Sequence, residues 1–436
     1  MNIFTELTTY ANYDLFFDQL RAKALKTPRK LFSKSQNQPL TLAWILDNQH
    51  LVIKEIIADI QRKKYIPGPA SSYEIVLGKR RVLYRMSWQD RIIEGVLAQA
   101  IYRAVDNQLS SRLYSFRKGR SHYLVVKELA DFIKLCRMNR KTLLIAKYDI
   151  ANYGENINHN LLRLDLENYL GNQDPYLWSL IDHFLRPQIS LNHQLMKGLP
   201  TGFHLVPVCE NIYLSKFDQS FDYLTETFYA RFGDDILLAT TDLALAQELQ
   251  SRAEHLIRER CLTLNQNKSF KLAFTFDNST PSEKNFDYLG FNINESGELF
   301  ISKRRLKEFK THFCKFTRRA HATNTRLQMT SQDSFQSLIR AVNRSLCYGS
   351  FSIFFLEIIK NCTNRKAVQH LDRWIAKKTL IALNHGSHDR IFQWHQFNNL
   401  RRAGLKSLLY AFDTRFRNSK QLRHSFNSHL NHVTDL

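Results

Sequence analysis

The 436-residue chain is 44% hydrophobic, which is enough to bury a sizeable core and to form two to three structural units. Its 62 Lys and Arg outnumber its 40 Asp and Glu, and the net charge of +22 favours polyanionic partners. The sequence has no apolar run of membrane-spanning length and no signal pattern, which argues against a membrane or secreted protein. It also has no Cys-x-x-Cys pair, which argues against a zinc site or a disulfide framework. We therefore expect a cytoplasmic location.

The first part of the chain is predicted to be mostly helical. Apolar residues at helical spacing run through residues 40–57, and Pro67 and Pro69 end this region near residue 70. Short β-leaning runs follow over residues 73–86, and a helix is predicted over residues 90–105.

The central part mixes strands with helices. An apolar run over residues 142–145 leads into Asp149, and helices are predicted from His159, over residues 207–217 and over residues 242–260. Past Ser302 the sequence becomes helical, and the predicted helices span residues 303–320, 331–348, 350–362, 367–382 and 397–412.

A β-hairpin is predicted over residues 229–238, with a turn that carries two adjacent carboxylates. Apolar and β-branched residues flank Gly233, Asp234 and Asp235, and glycine and aspartate favour tight turns. An Asp-Asp turn taken alone is more typical of a solvated loop. Carboxylates held at such a turn can nevertheless present oxygen ligands to a hard cation such as Mg²⁺.

Asp149 changes the interpretation of that turn. It is predicted to end a strand, where a third carboxylate can meet Asp234 and Asp235. An aspartate in this position is otherwise a common helix N-cap. Three carboxylates beside a nucleotide phosphate suit two Mg²⁺ ions roughly 3.5–4 Å apart, with Mn²⁺ as an alternative, in phosphoryl transfer.

These motifs and the blocks around them resemble bacterial reverse transcriptases of the group II intron, retron and defence-associated lineage. The resemblance runs through successive blocks over residues 71–295. The blocks are the pair Asp90-Arg91, residues 115–121, Asp149, residues 198–214, residues 232–235, residues 264–268 and residues 286–291. It implies an α+β fold, a right-hand polymerase with an N-terminal helical extension (1–70), fingers (71–145), a palm (146–295) and a helical thumb with the C-terminal region (296–436).

The resemblance also implies the role of each site residue. Asp149, Asp234 and Asp235 take the place of the catalytic aspartates, and the Ile150 carbonyl joins them as a metal ligand. The positions that match nucleotide-binding residues are Arg81, Arg91, Tyr153, Gly154, Glu155, Thr201, Gly202 and Lys268. The positions that match the hairpin holding the primer end are Tyr288, Leu289 and Gly290.

Some residues depart from the family pattern near the nucleotide. Gly154 stands where an aromatic residue normally blocks a ribose 2′-hydroxyl, so we expect weaker rejection of ribonucleotides unless Tyr153 fills the space. Glu155 stands in for a frequent aspartate. Thr201 replaces the usual glutamine, and we expect unusual template handling.

Three functions remain open at this point. The first is a reverse transcriptase-type DNA polymerase, and the second is an RNA-dependent RNA polymerase, which is disfavoured because such enzymes usually carry an aspartate at position 154. The third is a maturase-like RNA-binding splicing cofactor, which the intact aspartates argue against. The lack of an appended nuclease favours a role in antiphage defence. The expected partners are an RNA template or noncoding RNA and a DNA product, with a partner protein as a further option.

Overall fold

The computed structural model describes residues 2–26, 41–77, 79–190, 193–224, 226–276, 284–347, 350–383 and 394–417. The chain divides into two compact units. Among the described residues, unit one contains residues up to 121 together with 144–272, and unit two contains residues 122–143 and 273–417. No helix in these ranges is long and apolar enough to cross a membrane. Residues 384–393 and 418–436 of the predicted thumb region lie outside the described part.

Helices provide most of the regular structure. The first nine are α1 (Ile3–Leu7), α2 (Tyr10–Lys26), α3 (Leu42–Asp47), α4 (Gln49–Gln61), α5 (Trp88–Val105), α6 (His122–Met138), α7 (Tyr153–Asn156), α8 (His159–Leu170) and α9 (Pro175–Leu185). The others are α10 (Leu205–Tyr213), α11 (Ser215–Gln219), α12 (Leu243–Glu259), α13 (Lys303–Arg326), α14 (Ser331–Cys347), α15 (Ser350–Asn361), α16 (Arg365–Leu383), α17 (Trp394–Arg402) and α18 (Leu408–Arg417).

The strands form small sheets within each unit. They are β1 (Ser71–Leu77), β2 (Lys79–Arg85), β3 (Leu143–Asp149), β4 (Gln188–Ser190), β5 (His193–Gln194), β6 (Thr227–Phe232), β7 (Asp235–Thr240), β8 (Phe270–Phe274), β9 (Asn285–Tyr288), β10 (Phe291–Asn294) and β11 (Leu299–Ile301). β1 and β2 form an antiparallel hairpin, β4 pairs with β5, and the order of the largest sheet is β6-β7-β3-β8.

The four-stranded sheet is the core of unit one. Its central strands β3 and β7 are buried along almost their whole length, which explains why their sequences are nearly continuous apolar runs. β7 pairs antiparallel with both β6 and β3. α12 packs on β7, and α10 packs on α5 and α8. α5 is buried on nearly all sides, as expected of a helix at the centre of a domain.

Unit two combines a three-stranded antiparallel sheet, ordered β11-β10-β9, with helices. α13 packs against α14 and α16, and α18 packs against α15 and α16. Asp372 on α16 caps the start of α18, because its carboxylate accepts hydrogen bonds from the Leu408 amide at 2.9 Å and the Ser407 hydroxyl at 2.8 Å.

Several predicted elements are confirmed, including the hairpin of β6 and β7, the strand that ends at Asp149 and the helix α12. Two predicted helices are wrong as single elements. Residues 207–217 contain a break at Leu214, where the Ser215 hydroxyl binds the Ile212 carbonyl at 2.7 Å. Residues 397–412 contain a break at Gly404, whose φ of +93° ends α17. α6 and α9 were not predicted.

A buried ion pair joins β6 to α11. The side chains of Arg231 and Asp218 are both 0% exposed, and two guanidinium nitrogens bind the carboxylate at 2.7 and 2.6 Å. The Tyr229 hydroxyl also donates to Asp218. Burial lowers the pKa of Arg231, but the attraction of Asp218 outweighs it and the pKa is raised, so the guanidinium stays charged.

We expect Asp218→Asn to destabilise the protein strongly. The substitution leaves the Arg231 charge buried without a counter-ion, and breaking a buried pair in this way costs about 3–5 kcal/mol. The free energy of unfolding from urea titration measures this. Asp18→Asn is the matched control, since the Asp18 side chain is 69% exposed beside Arg21 and its loss should cost less than about 1 kcal/mol. Equal losses in both variants would contradict the importance of the buried pair.

Candidate active site

The turn between β6 and β7 presents Asp234 and Asp235. Phe232 pairs with Asp235 across the hairpin, so Gly233 and Asp234 form a two-residue turn. Gly233 has a φ of +64°, a left-handed conformation that glycine adopts without steric cost. The predicted turn is therefore confirmed in its geometry, and Asp235 becomes the first residue of β7.

Asp149 lies at the end of β3, directly opposite Asp235 on β7. Backbone hydrogen bonds fix this end of the strand. The Ile150 amide donates to the Asp234 carbonyl at 3.2 Å, and the Asn265 amide donates to the Asp149 carbonyl at 2.8 Å. The three aspartates predicted from the sequence are thus brought together at one edge of one sheet.

Two lysines pair with these acids. The Lys268 ammonium lies 3.0 Å from an oxygen of Asp149, and the Lys147 ammonium lies 2.5 Å from an oxygen of Asp235. Lys268 was predicted to serve the nucleotide, whereas Lys147 was not singled out. The spacing of Lys147 and Asp149 could have indicated this role. Lys147 precedes Asp149 by two positions, and residues two apart on a strand point to the same face of the sheet.

The carboxylates repel one another. Burial raises the pKa of Asp234, and the charges of Asp235 and Asp149 raise it further. Within the described ranges no group of three or more His, Cys, Asp or Glu side chains is arranged to hold a metal ion. Asp149 and Asp235 are instead each paired with a lysine ammonium group. Carboxylate oxygens that repel each other in this way are still the donors that a hard divalent cation prefers.

The loop containing Thr201 and Gly202 docks on strand β2. The Tyr84 amide donates to the Thr201 carbonyl at 2.9 Å. A Cβ on Gly202 would lie 2.9 Å from the Tyr84 carbonyl oxygen, and Gly202 has a φ of +114°. Only glycine meets both demands, so this loop and the strand that carries Arg81 are held together by backbone contacts.

The two arginines predicted to bind nucleotide lie in different surroundings. Arg81 is exposed on β2, where it pairs with Ile75 of β1, and its side chain has no hydrogen bond or ion pair within the described ranges. Arg91 is half-buried on α5, with its guanidinium 5.6 Å from the centre of the Trp88 ring. Burial lowers the pKa of Arg91, and its Nε atom is buried with no hydrogen-bond partner in the part of the chain described.

Tyr153 and Gly154 begin the short helix α7 beneath the loop. The Tyr153 ring is buried, and its hydroxyl donates to the Glu210 carbonyl at 2.5 Å. Gly154 faces the Glu210 side chain, since a Cβ at position 154 would lie 2.9 Å from the Glu210 Oε1. Glu155 is exposed. The Tyr153 hydroxyl therefore binds the backbone of the residue whose side chain lies beside Gly154.

Glu210 is an acidic group near the site that the sequence did not reveal. Burial raises the pKa of its carboxyl to about 7, the charge of Asp234 raises it in the same direction, and Arg231 opposes the shift. Glu210 lies on α10, three residues before the end of a helix with a mostly apolar sequence, and this position gave no sign that its side chain would lie near Gly154.

Tyr288, Leu289 and Gly290 lie in unit two, at the turn between β9 and β10. Leu289 has a φ of +47° and Gly290 a φ of +92°, which are the signs of a two-residue type I′ turn. The Tyr288 ring is 1% exposed and belongs to the core of that unit. The predicted hairpin is present, and its turn rather than the tyrosine ring is accessible.

Comparison with known proteins identifies the family to which the chain belongs. Residues 62–293, more than half of the chain, match the family model for reverse transcriptase (RNA-dependent DNA polymerase). The match confirms the predicted α+β, right-hand polymerase class. No curated protein sequence matches the chain.

Solved telomerase structures are also similar. Apo telomerase from Candida tropicalis, truncated from the C-terminal domain, shares 12% identity with this chain at a TM-score of 0.42. The match covers 62% of this chain and 63% of the telomerase chain. Telomerase from Candida tropicalis with the TWJ fragment of telomeric RNA shares 13% identity at a TM-score of 0.41, covering 93% and 70% of the two chains. The Candida albicans complex with the TWJ fragment shares 12% identity at a TM-score of 0.38, covering 89% and 60%.

We expect Gly202→Ala to destabilise the protein by at least about 2 kcal/mol, because the new Cβ meets a carbonyl and the backbone is strained. Gly119→Ala is the matched control. Gly119 has a φ of +74° with no atom near an added Cβ, so only about 1 kcal/mol of backbone strain should follow. Thermal unfolding of both variants measures the difference, and equal shifts would argue against the close approach of Tyr84.

Proposed function

The chain belongs to the reverse transcriptase (RNA-dependent DNA polymerase) family, and we propose that it is a nucleotidyltransferase that adds nucleotides to a 3′ end. The observation that carries the proposal is the meeting of Asp149, Asp234 and Asp235 at one sheet edge. A solvated hairpin turn would not require a third carboxylate opposite it, nor backbone bonds that join Ile150 to the turn.

We infer that Asp149 and Asp234 would hold two Mg²⁺ ions, or Mn²⁺ in their place, with Asp235 and the Ile150 carbonyl in support. Such ions supply charge neutralisation at the attacking and leaving oxygens of phosphoryl transfer. Burial raises the pKa of Asp234, the charges of Asp235 and Asp149 raise it further, and this repulsion supports a cation at this edge. In this scheme Lys268 leaves Asp149 and turns toward the triphosphate, which is feasible because its side chain is 56% exposed.

Arg81 and Arg91 are proposed to bind the triphosphate of the incoming nucleotide. Arg81 has no competing partner in the described ranges and is free to bind an anion. The buried Nε of Arg91 needs an acceptor, and a phosphate oxygen is a strong one for guanidinium. Catalysis would then depend mainly on positioning and charge neutralisation.

Helix α13 is proposed to hold the nucleic acid. It carries one acidic side chain, Glu308, among many basic ones, and an apolar face that includes Phe309 and Phe313 is buried. The exposed basic side chains of this helix are Lys303, Arg304, Lys307, Lys315, Arg318, Arg319 and Arg326. A row of cations on one helix suits contact with a phosphate backbone. The proposed partners are an RNA template or noncoding RNA and a DNA product.

The finer assignments also remain proposals. We assign the fingers to residues 71–145, the palm to 146–295, with Tyr288, Leu289 and Gly290 as the primer-holding turn, and the thumb to 296–436. The sequence departures at Gly154 and Thr201 support a bacterial, defence-associated enzyme with unusual template use, an associated RNA and optionally a partner protein. A cytoplasmic location belongs to the same proposal.

Removing a catalytic aspartate should abolish nucleotide incorporation and leave the fold intact. Asp149→Ala and Asp234→Ala take away metal ligands at a sheet edge but little packing, so incorporation should fall at least about a thousandfold, and Asp235→Ala should also be severe. Primer extension with labelled nucleotides measures activity, and circular dichroism checks folding.

Asp131→Ala is the control for these variants, since the Asp131 side chain is 56% exposed on α6 and pairs with the neighbouring Lys134. It should retain full incorporation. Full incorporation by the Asp234→Ala protein would exclude the two-metal assignment, and binding of RNA without any incorporation by the wild type would favour the splicing-cofactor alternative.

Substitutions of Arg81 and Arg91 should affect nucleotide binding, whereas substitutions on helix α13 should affect nucleic-acid binding. Arg81→Ala and Arg91→Ala should raise the KM for nucleotides about tenfold with little change in nucleic-acid affinity. The triple variant Lys303→Ala, Arg304→Ala, Lys307→Ala should weaken nucleic-acid binding and flatten its salt dependence, because fewer counterions are released. Steady-state kinetics and filter binding over a salt series measure the two effects, and identical behaviour of both sets would show that the assignments are wrong.

A further inference from the structure

His159 is buried at the start of α8, where its ring binds a loop that is distant in sequence. The residue is 5% exposed, and its Nε2 atom lies 2.6 Å from the Gly198 carbonyl oxygen. A carbonyl oxygen can only accept, so Nε2 carries the proton in this contact. Nδ1 is buried and has no hydrogen-bond partner among the described residues, so a second proton there would be buried without an acceptor. The contact therefore fits a neutral imidazole.

The peptide group between Gly198 and Leu199 is held from both sides. Its carbonyl accepts from His159, and its N–H, the Leu199 amide, donates to the Gly154 carbonyl at 2.8 Å. Because a trans peptide group is planar and its C=O and N–H point in opposite directions, these two bonds fix the orientation of the plane. One of the two bonds comes from the backbone, and the other comes from the His159 side chain.

This peptide group begins the loop of residues 198–202, which leads to the proposed nucleotide-binding residues Thr201 and Gly202. The middle of the loop docks on strand β2 through backbone contacts. Just beyond the loop, the Leu205 amide donates to the buried Glu94 carboxylate at 2.5 Å. Thr201 and Gly202 are thus placed by an anchor on each side, and loosening the His159 anchor would move them.

Charged groups surround the His159 ring on several elements. On α9, Asp182 is bound to the Arg163 guanidinium at 2.7 Å, and Arg186 follows the end of that helix. On the segment before Gly198, the Lys197 ammonium donates to the Asn156 side chain at 3.0 Å. Glu155 of α7 is exposed. Within the described ranges, these groups leave Nδ1 without an acceptor.

The surroundings of the ring favour its neutral form. Burial lowers the pKa of His159, the hydrogen bond to Gly198 opposes this, Arg186 lowers the pKa further and Asp182 raises it, and the net shift is downward. The ring is therefore neutral at neutral pH and becomes charged only in acid. A charged ring needs an acceptor for its Nδ1 proton, which water supplies only if the ring leaves its buried place and gives up Gly198.

We propose that His159 is a positioning residue for nucleotide binding, which holds the loop of residues 198–202 in place as a neutral imidazole and releases it on protonation. The proposal rests on the nucleotide-binding function proposed above, through Thr201 and Gly202. Since the pKa of the folded ring is lowered, the loop is fully held above the ordinary histidine pKa. Its hold is lost as the pH falls below that value toward the lowered one.

The KM for dATP in primer extension on an RNA template, measured from about pH 5.5 to about pH 8, tests this in the wild type and in His159→Gln. The end of a Gln side chain reaches the place of Nε2 and donates in the same way, but it does not titrate. The two KM values should agree near pH 8. Near pH 5.5 the wild-type KM should be about three- to tenfold higher, which is the usual effect of one hydrogen bond.

The comparison isolates the imidazole. Titration of the triphosphate or of the proposed metal ligands acts on both proteins alike and cancels in the KM ratio, and kcat should change with pH in parallel in the two proteins. His159→Asn carries its amide at the place of Nδ1, too short to reach Gly198, and should show the raised KM at every pH. His255→Gln changes a side chain that is 65% exposed on α12 and should keep the wild-type pH profile. Circular dichroism checks the folding of each variant.

The outcomes separate this inference from the proposed function. A wild-type to His159→Gln KM ratio that stays constant over the pH range would overturn the proposal, as would a folded His159→Asn protein with the wild-type KM near pH 8. Both results would leave the polymerase proposal standing. If the wild type incorporates no nucleotide at any pH, the proposed function itself is contradicted, and the role of His159 with it.

Discussion

The buried ion pair of Arg231 and Asp218 is the constraint on which the geometry of the acidic edge depends. Besides binding the carboxylate, the Arg231 guanidinium donates to the Gly233 carbonyl at 3.2 Å and to the Asn211 carbonyl at 3.0 Å. One side chain therefore connects the turn that presents Asp234 with helix α10. Because a buried guanidinium cannot give up its charge, every acceptor around it has to stay in place. The turn that carries Asp234 is therefore tied to α10 through one buried side chain, although it stands at the end of a hairpin.

The same network extends to the segment that precedes the hairpin in sequence. The Arg231 amide donates to the Arg112 carbonyl and the Tyr114 amide donates to the Arg231 carbonyl, both at 3.0 Å, so residues 112–114 run beside β6. The Ser115 hydroxyl and carbonyl both bind the Asn211 side chain. Residues 115–121 were recognised only as a family block in the sequence. In the structure the start of this block is part of the support that fixes α10, and α10 is the helix that carries Glu210.

The sequence predicted the features that depend on local chemistry. A glycine before two aspartates, flanked by apolar runs, requires a turn between strands, and the β6–β7 hairpin follows directly. The strand that ends at Asp149 was predictable for the same reason. Lys147 and Glu210 were not, because their roles arise when separate elements come together. The broken helices at Leu214 and Gly404 show a related difficulty, since the apolar pattern continues through a break that a side-chain bond or a left-handed residue imposes.

Charge placement around the acidic edge differs from one carboxylate to the next. Asp149 and Asp235 have lysine partners, so their repulsion is offset within the protein. Asp234 and Glu210 have no such ion pair in the described ranges, and burial raises the pKa of both. Arg231 opposes the rise in the pKa of Glu210 and Lys268 opposes the rise in the pKa of Asp234, so each acid is partly compensated within the protein. Burial and the charges of Asp235 and Asp149 still leave the pKa of Asp234 raised, so a cation bound at this edge would relieve a cost that the protein's own lysines only partly offset.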